Sequence, residues 1–180
     1  KTVNSYDLNG NLIKIERLRS KDTEGNAIYD VEESVYDDMN RLVESIRQAD
    51  KQDIFGFESL PSSKLIKDDQ YEGKVRLITS YEYDILGNKT KETSPSGNIT
   101  TFTYDFMNRL HTISKSVNGN LTKISYLYDA QGNRSGEINE RGYKSEYTYD
   151  VVNRLKTVID ATGYTFTYNY DLSGNKISEI

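Results

Sequence analysis

Tyr-Asp recurs seven times in this chain of 180 residues, at 6-7, 36-37, 83-84, 104-105, 128-129, 149-150 and 170-171. A chain that repeats one short motif folds as copies of one small unit, each stacked on its neighbours. Successive pairs lie 30, 47, 21, 24, 21 and 21 residues apart, so the base period is 21. Each pair opens a five-residue stretch, numbered here from its Asp. In one form position four is Gly and position five Asn: Tyr6, Asp7, Gly10; Tyr83, Asp84, Gly87; Tyr128, Asp129, Gly132; Tyr170, Asp171, Gly174. In the other these are Asn and Arg, followed by Leu: Tyr36, Asp37, Asn40, Arg41; Tyr104, Asp105, Asn108, Arg109; Tyr149, Asp150, Asn153, Arg154. The two forms, GN and NR, alternate without a break. A lost unit would reverse that order, so the 47-residue gap is one unit with an insertion at about 48–72.

The five-residue stretch is a turn. Asp accepts hydrogen bonds from backbone amides two residues on, and Gly and Asn best tolerate the left-handed backbone that closes a bulged hairpin. Polar runs ending in Gly97, Gly142 and Gly163 mark turns half a period away, with looser versions near Gly25, Gly73 and Gly119. Between turns the pattern has period two, as in Thr165-Phe166-Thr167-Tyr168-Asn169-Tyr170, which is the signature of strands. The expected fold is all-β: an antiparallel meander of about 14 strands, one repeat array over 1–180, curling into an open arc or partial spiral. Length changes fall on the edge opposite Tyr-Asp, around 26–34, 48–72 and 118–120, where loops are expected. Ile54, Phe55 and Phe57 are expected to dock back on the sheet. The alternating turns are expected to nest apolar residues, Leu8, Ile85, Ala130 and Leu172 at position two against Met39, Met107 and Val152 at position three. Aromatic pairs two apart (Phe102/Tyr104, Tyr126/Tyr128, Tyr147/Tyr149, Tyr168/Tyr170) are expected to share one face and touch ring to ring. Arg41, Arg109 and Arg154 are expected to reach a carboxylate or turn carbonyl next door.

The seven Tyr-Asp-x-x-[Gly/Asn]-[Asn/Arg] units resemble the RHS/YD-repeat family over all of the chain except the insertion. That family includes bacterial polymorphic toxins, wall-associated surface proteins, the cocoons of insecticidal toxin complexes and the teneurin receptors. The resemblance implies a β-strip that spirals into a hollow shell, enclosing a toxin domain or serving as an extracellular scaffold. It implies flanking repeats and an encapsulated toxin or surface glycan as partners, and an extracellular or cell-surface location. The Asp-Pro boundary that supports self-cleavage in some members is missing: Pro61 and Pro95 do not follow Asp.

Only 35% of the residues are hydrophobic, with 15 Tyr and no Trp, which suits a single sheet wetted on both faces better than a packed sandwich. A net charge of −5 argues against nucleic acid as partner. No apolar run approaches a helical membrane span, and membrane insertion is not expected. Zero Cys excludes disulfides and thiolate metal sites.

No residues assemble into a catalytic set, and no cofactor is implied. His111, the single histidine, lies in a strand with no patterned partner. The regular Asp residues are explained by turn capping rather than by paired-acid hydrolysis. Asp7-Leu8-Asn9-Gly10-Asn11 faintly resembles a calcium loop but lacks the late Glu such loops use. Exposed Tyr rings, Tyr143 and Tyr164 in particular, are candidate platforms for sugars, against the plainer reading that the Tyr ladder is cross-strand packing. Two functions stay open: a structural shell or scaffold, and a carbohydrate- or receptor-binding surface module.

Overall fold

Alternation of apolar and polar residues between turns leaves strands as the only regular element. The computed structural model describes residues 1–21, 23–25, 27–50, 65–67 and 74–180, and every element among them is a strand. Ile54, Phe55 and Phe57 lie outside the described residues. The chain forms two compact units, Lys1–Thr100 and Thr101–Ile180.

In the first unit β1 (Thr2–Tyr6), β2 (Leu12–Lys21), β3 (Ala27–Tyr36), β4 (Leu42–Asp50), β6 (Lys74–Tyr83) and β7 (Lys89–Thr93) neighbour one another in that order. The short β5 (Leu65–Lys67) pairs with β6 as well. It takes the flank of β6 at Val75–Leu77, beyond the stretch Ser80–Tyr83 that β7 covers, so part of the insertion returns to the sheet. The second unit holds β8 (Ile99–Tyr104), β9 (Leu110–Val117), β10 (Asn120–Tyr128), β11 (Arg134–Ile138), β12 (Lys144–Tyr149), β13 (Leu155–Ile159), β14 (Thr165–Tyr170) and β15 (Lys176–Glu179), again in chain order. The fold is an antiparallel all-β meander, as expected.

Extra length is carried by strands more than by loops, which corrects the sequence reading. The 30-residue unit keeps a five-residue turn at each edge and places its nine additional residues in β2 and β3, ten residues each. Residues 27–34 are therefore paired strand, with Lys14 opposite Glu33 and Lys21 opposite Ala27. In the 24-residue unit the turn shrinks to Asn118-Gly119 while β9 and β10 grow to eight and nine residues. Both turn residues have positive φ, 50° and 81°, the two-residue geometry that matches strand twist. The insertion is also shorter than expected, because β4 pairs with β6 through Asp50 opposite Lys74. A protruding hairpin keeps its backbone groups bonded only if both arms lengthen together, so strand pairs rather than loops absorb added residues.

Apolar burial is sparse. Val31, Ile46, Val75 and Ile78 are the buried hydrophobic residues among those described, all where β3, β4 and β6 are long. Ile46 lies opposite Ile78 on one face, and the odd offset puts Val75 on the other. In the second unit the described buried residues are Thr112 and Gly136, so that sheet is wet on both faces.

All seven position-four residues have positive φ, from 59° at Asn40 to 92° at Gly132. Around Gly87 a Cβ would meet nothing within 4 Å. Gly87→Ala is therefore expected to lose about 1–2 kcal/mol from backbone strain alone, read as a lower urea midpoint, while Asn118→Gly leaves the midpoint unchanged or raised.

Candidate functional site

Each Tyr-Asp turn is built on its carboxylate. In the first, the Asp7 amide donates to the Asn11 carbonyl (3.0 Å) and the Gly10 amide to the Asp7 carbonyl (3.2 Å). Asp7 Oδ1 accepts from the amides of Asn9 and Asn11, and Oδ2 from the Asn11 side chain. Both oxygens are thus occupied in the loop that resembled a calcium site. In NR turns Arg replaces Asn at position five and its Nε donates to Oδ2, at 2.7 Å in Asp37 and Asp150 and 2.8 Å in Asp105.

These bonds hold the carboxyl groups below the ordinary aspartate range. The leading cause is the Asn side chain at Asp7, Asp84 and Asp171, and the Arg backbone amide at Asp37, Asp105 and Asp150. A lowered folded pKa contributes stability that is complete above the unfolded value, about 3.9, and is lost as pH falls through the folded values. An acid unfolding limb below about pH 4 is expected, shallower in a variant with Asp→Asn at several turns.

Neighbouring turns are joined by contacts that differ with the form. From GN to NR, the Asn11 and Asn133 side chains donate to Oδ1 of Asn40 and Asn153, at 2.8 and 2.9 Å. From NR to GN, Arg Nη1 donates to the Asp carbonyl of the next turn: Arg41 to Asp84 (2.9 Å), Arg109 to Asp129 (3.5 Å), Arg154 to Asp171 (3.3 Å). The same guanidinium groups lie over the next Tyr, 5.0 Å from the Tyr83 centroid, 4.4 Å from Tyr128 and 4.6 Å from Tyr170. The expected arginine contact is present, with its carboxylate in the arginine's own turn and its carbonyl in the neighbour's. Apolar nesting is absent at position two: Leu8, Ile85 and Leu172 are fully or almost fully exposed, and Phe106 and Val151 likewise. Central turn residues project outward, so the forms alternate for polar rather than apolar complementarity.

The Tyr hydroxyl has a role that pattern reading missed. A bulge precedes each paired Tyr, as at Ser5/Tyr6, Leu127/Tyr128 and Thr148/Tyr149. It throws the first strand residue after the turn out of step, and pairing with the next hairpin stops two residues in, as at Thr112–Ser125 and Gly136–Glu146. The Tyr hydroxyl donates to the carbonyl left over: Tyr36 to Leu12 (3.2 Å), Tyr83 to Leu42 (2.7 Å), Tyr128 to Leu110 (2.8 Å), Tyr149 to Arg134 (2.9 Å) and Tyr170 to Leu155 (2.8 Å). The signal was present in the sequence: all seven positions are Tyr although Phe serves elsewhere in the strands.

The ladder rings share a face, but cations rather than rings fill the space between one pair and the next. Tyr126 and Tyr147 lie on β10 and β12, with Arg134 of β11 over both at 4.5 and 5.6 Å. Lys89 and Lys176, at the equivalent place, cover Tyr81 and Tyr168 and pair with Glu92 and Glu179. Ring-to-ring stacking fails here because the intervening strand puts a long cationic side chain where the rings would meet. His111 is partnered across β9 and β10, its Nδ1 3.2 Å from the Tyr126 carbonyl.

The far edge uses the same turn. Ser94, Asn139 and Asp160 take the place of the Tyr-Asp aspartate, with Gly97, Gly142 and Gly163 at position four and matching backbone bonds. Position five is Asn98, Tyr143 and Tyr164. A Tyr cannot reach back to its own turn as Asn or Arg does, and these rings are 58% and 73% exposed.

Residues 128–163, which span one GN turn, one NR turn and both Tyr-bearing far-edge turns, match the family model described as RHS Repeat. The chain is built of RHS repeats. Comparison with curated protein sequences gives no match. Among solved structures the RHS-repeat chain is similar to the Photorhabdus luminescens Tc holotoxin pore carrying a TccC3 mutation, at 17% identity and TM-score 0.64. It is also similar to TcdB2-TccC3, at 18% and 0.61, and to TcdB2-TccC3-Cdc42, at 16% and 0.60. Each likeness covers 99% of this chain and 10% of the other, so the RHS repeats here span about a tenth of those proteins' length. At such identity the likeness is one of fold.

Removing one bridging hydroxyl tests the Tyr assignment. Tyr128→Phe is expected to lower unfolding stability by about 1 kcal/mol, because the Leu110 carbonyl keeps no replacement donor. A change within error in urea titration would assign the Tyr preference to something other than this bond.

Proposed function

We propose that this chain is a non-catalytic wall segment of a large secreted or cell-surface RHS/YD protein. In this reading it forms part of a β-shell that encloses a toxin or acts as an extracellular scaffold, with flanking repeats continuing the sheet. One observation carries it. Every polar group of the repeat motif is spent on a bond within or between turns: both Asp oxygens, the Asn amide, the Arg fork and the Tyr hydroxyl. Groups so committed serve to hold copies in register and leave nothing to bind or activate a substrate. The resemblance in fold to Tc toxin structures supports the toxin-associated form of the proposal.

Cryo-electron microscopy of the native polypeptide that carries this sequence provides the test. The expected result is a wall of stacked hairpins, Tyr-Asp turns along one rim, around protein density or an empty chamber. An extended ribbon with no enclosed volume would overturn the shell. Hydrolytic turnover that disappears in a variant of the position-one Asp residues, with the fold intact by circular dichroism, would overturn the non-catalytic assignment.

A further inference from the structure

The far edge of the second unit departs from the economy of the Tyr-Asp edge. Its turns at 139–143 and 160–164 are closed by their own backbone bonds and by the side-chain oxygen at position one, which takes the amides of positions three and five. Tyr at position five adds nothing to that closure, since Asn98 fills the same place in the third such turn. Yet two neighbouring hairpins both carry Tyr there, and both rings are open to solvent. Beside Tyr143 runs an open groove of about 840 Å³, from Ile124 past Asn139, Glu140 and Arg141 to Ala161 and Thr162.

From this juxtaposition we infer that the groove is a binding site for a neutral oligosaccharide, with Tyr143 and Tyr164 as stacking platforms. Equivalent residues two strands apart lie roughly 10 Å from each other on the same face. Consecutive rings of an extended β-linked glycan bridge such a separation, so one chain contacts both platforms. A sugar presents flat C–H faces rimmed by hydroxyls. The groove answers with an aromatic face on an Ile124 floor, and with groups that donate and accept around it. Asn139 spends its Oδ1 on the turn, and its Nδ2 has no acceptor among the described residues. Arg141 donates, Glu140 accepts, and Thr162 Oγ1, which donates to Asp160, still accepts. Glu140 and Arg141 cancel in charge and Asp160 adds a negative one, which suits an uncharged ligand and disfavours a polyanion.

The full 180-residue chain, isotope-labelled, is titrated with cellohexaose and with chitohexaose, following backbone amide shifts. The expected result is saturable shifts at Gly142, Tyr143, Gly163 and Tyr164 with one of the two, while the Tyr-Asp turns stay unmoved. Tyr143→Asn and Tyr164→Asn, which copy the residue of the third turn, are each expected to weaken binding about ten-fold, as loss of one stacked ring does. The double variant loses it, thermal unfolding is unchanged in all three, and Tyr143→Trp keeps or strengthens binding. Absence of shifts at these amides with both probes at millimolar concentration overturns the site. So does binding that survives the double variant, or tighter, salt-sensitive binding of a heparin-type oligomer.

Discussion

Each Tyr-Asp hairpin contains a bulge, and the bulge ends the ladder to the next hairpin two residues before the turn. The carbonyl stranded there is bonded by the Tyr hydroxyl of the following unit. Almost everything else at this edge depends on that bond, because it pulls one ring across the preceding strand and fixes the distance between turns. With turns at that distance, an arginine held by its own aspartate meets the next carbonyl and the next ring face. The sheet is thus secured along one rim by polar contacts that recur at every step. That explains how it holds together with four buried apolar residues among those described.

Sequence made this fold legible because its turns are punctuated by residue types with narrow backbone preferences. Gly and Asn at position four announced positive φ, and period-two aromatics announced strands with a shared face. Three features resisted. The hydroxyl bridge depends on a bulge, and a bulge has no composition of its own. Added length was read as loops because polar strand residues on a single wet sheet look like loop residues: Glu32, Glu33 and Ser34 are paired strand. The nesting of turn apolars was a packing argument applied where nothing packs, since Phe106 and Val151 project into solvent. Arginine gave the clearest reading of the joint itself, and its partners followed from a rigid fork with more donors than one carboxylate accepts.

The two edges of the sheet show one turn used twice. At the Tyr-Asp edge the position-five side chain folds back and locks the carboxylate, which makes the edge intolerant of change. At the far edge the lock is released, because closure needs only one side-chain oxygen and the backbone. Position five is then available for another purpose, and in two adjacent hairpins it carries Tyr. Exposed Tyr143 and Tyr164 were singled out in the sequence, but the reason they stand open is visible only once both edges are recognised as the same motif.

Alternation of the two joints has a genetic consequence. Asn-to-Asn contacts hand over from a GN turn to an NR turn, and arginine contacts from NR to GN. A single-unit duplication or deletion by unequal recombination would set two turns of one kind side by side, either with no arginine facing the carbonyl or with two competing for the same space. A crossover that adds or removes a pair restores both joints. Gene lineages carrying this motif should therefore change size in steps of two units, with odd-numbered intermediates purged by their instability.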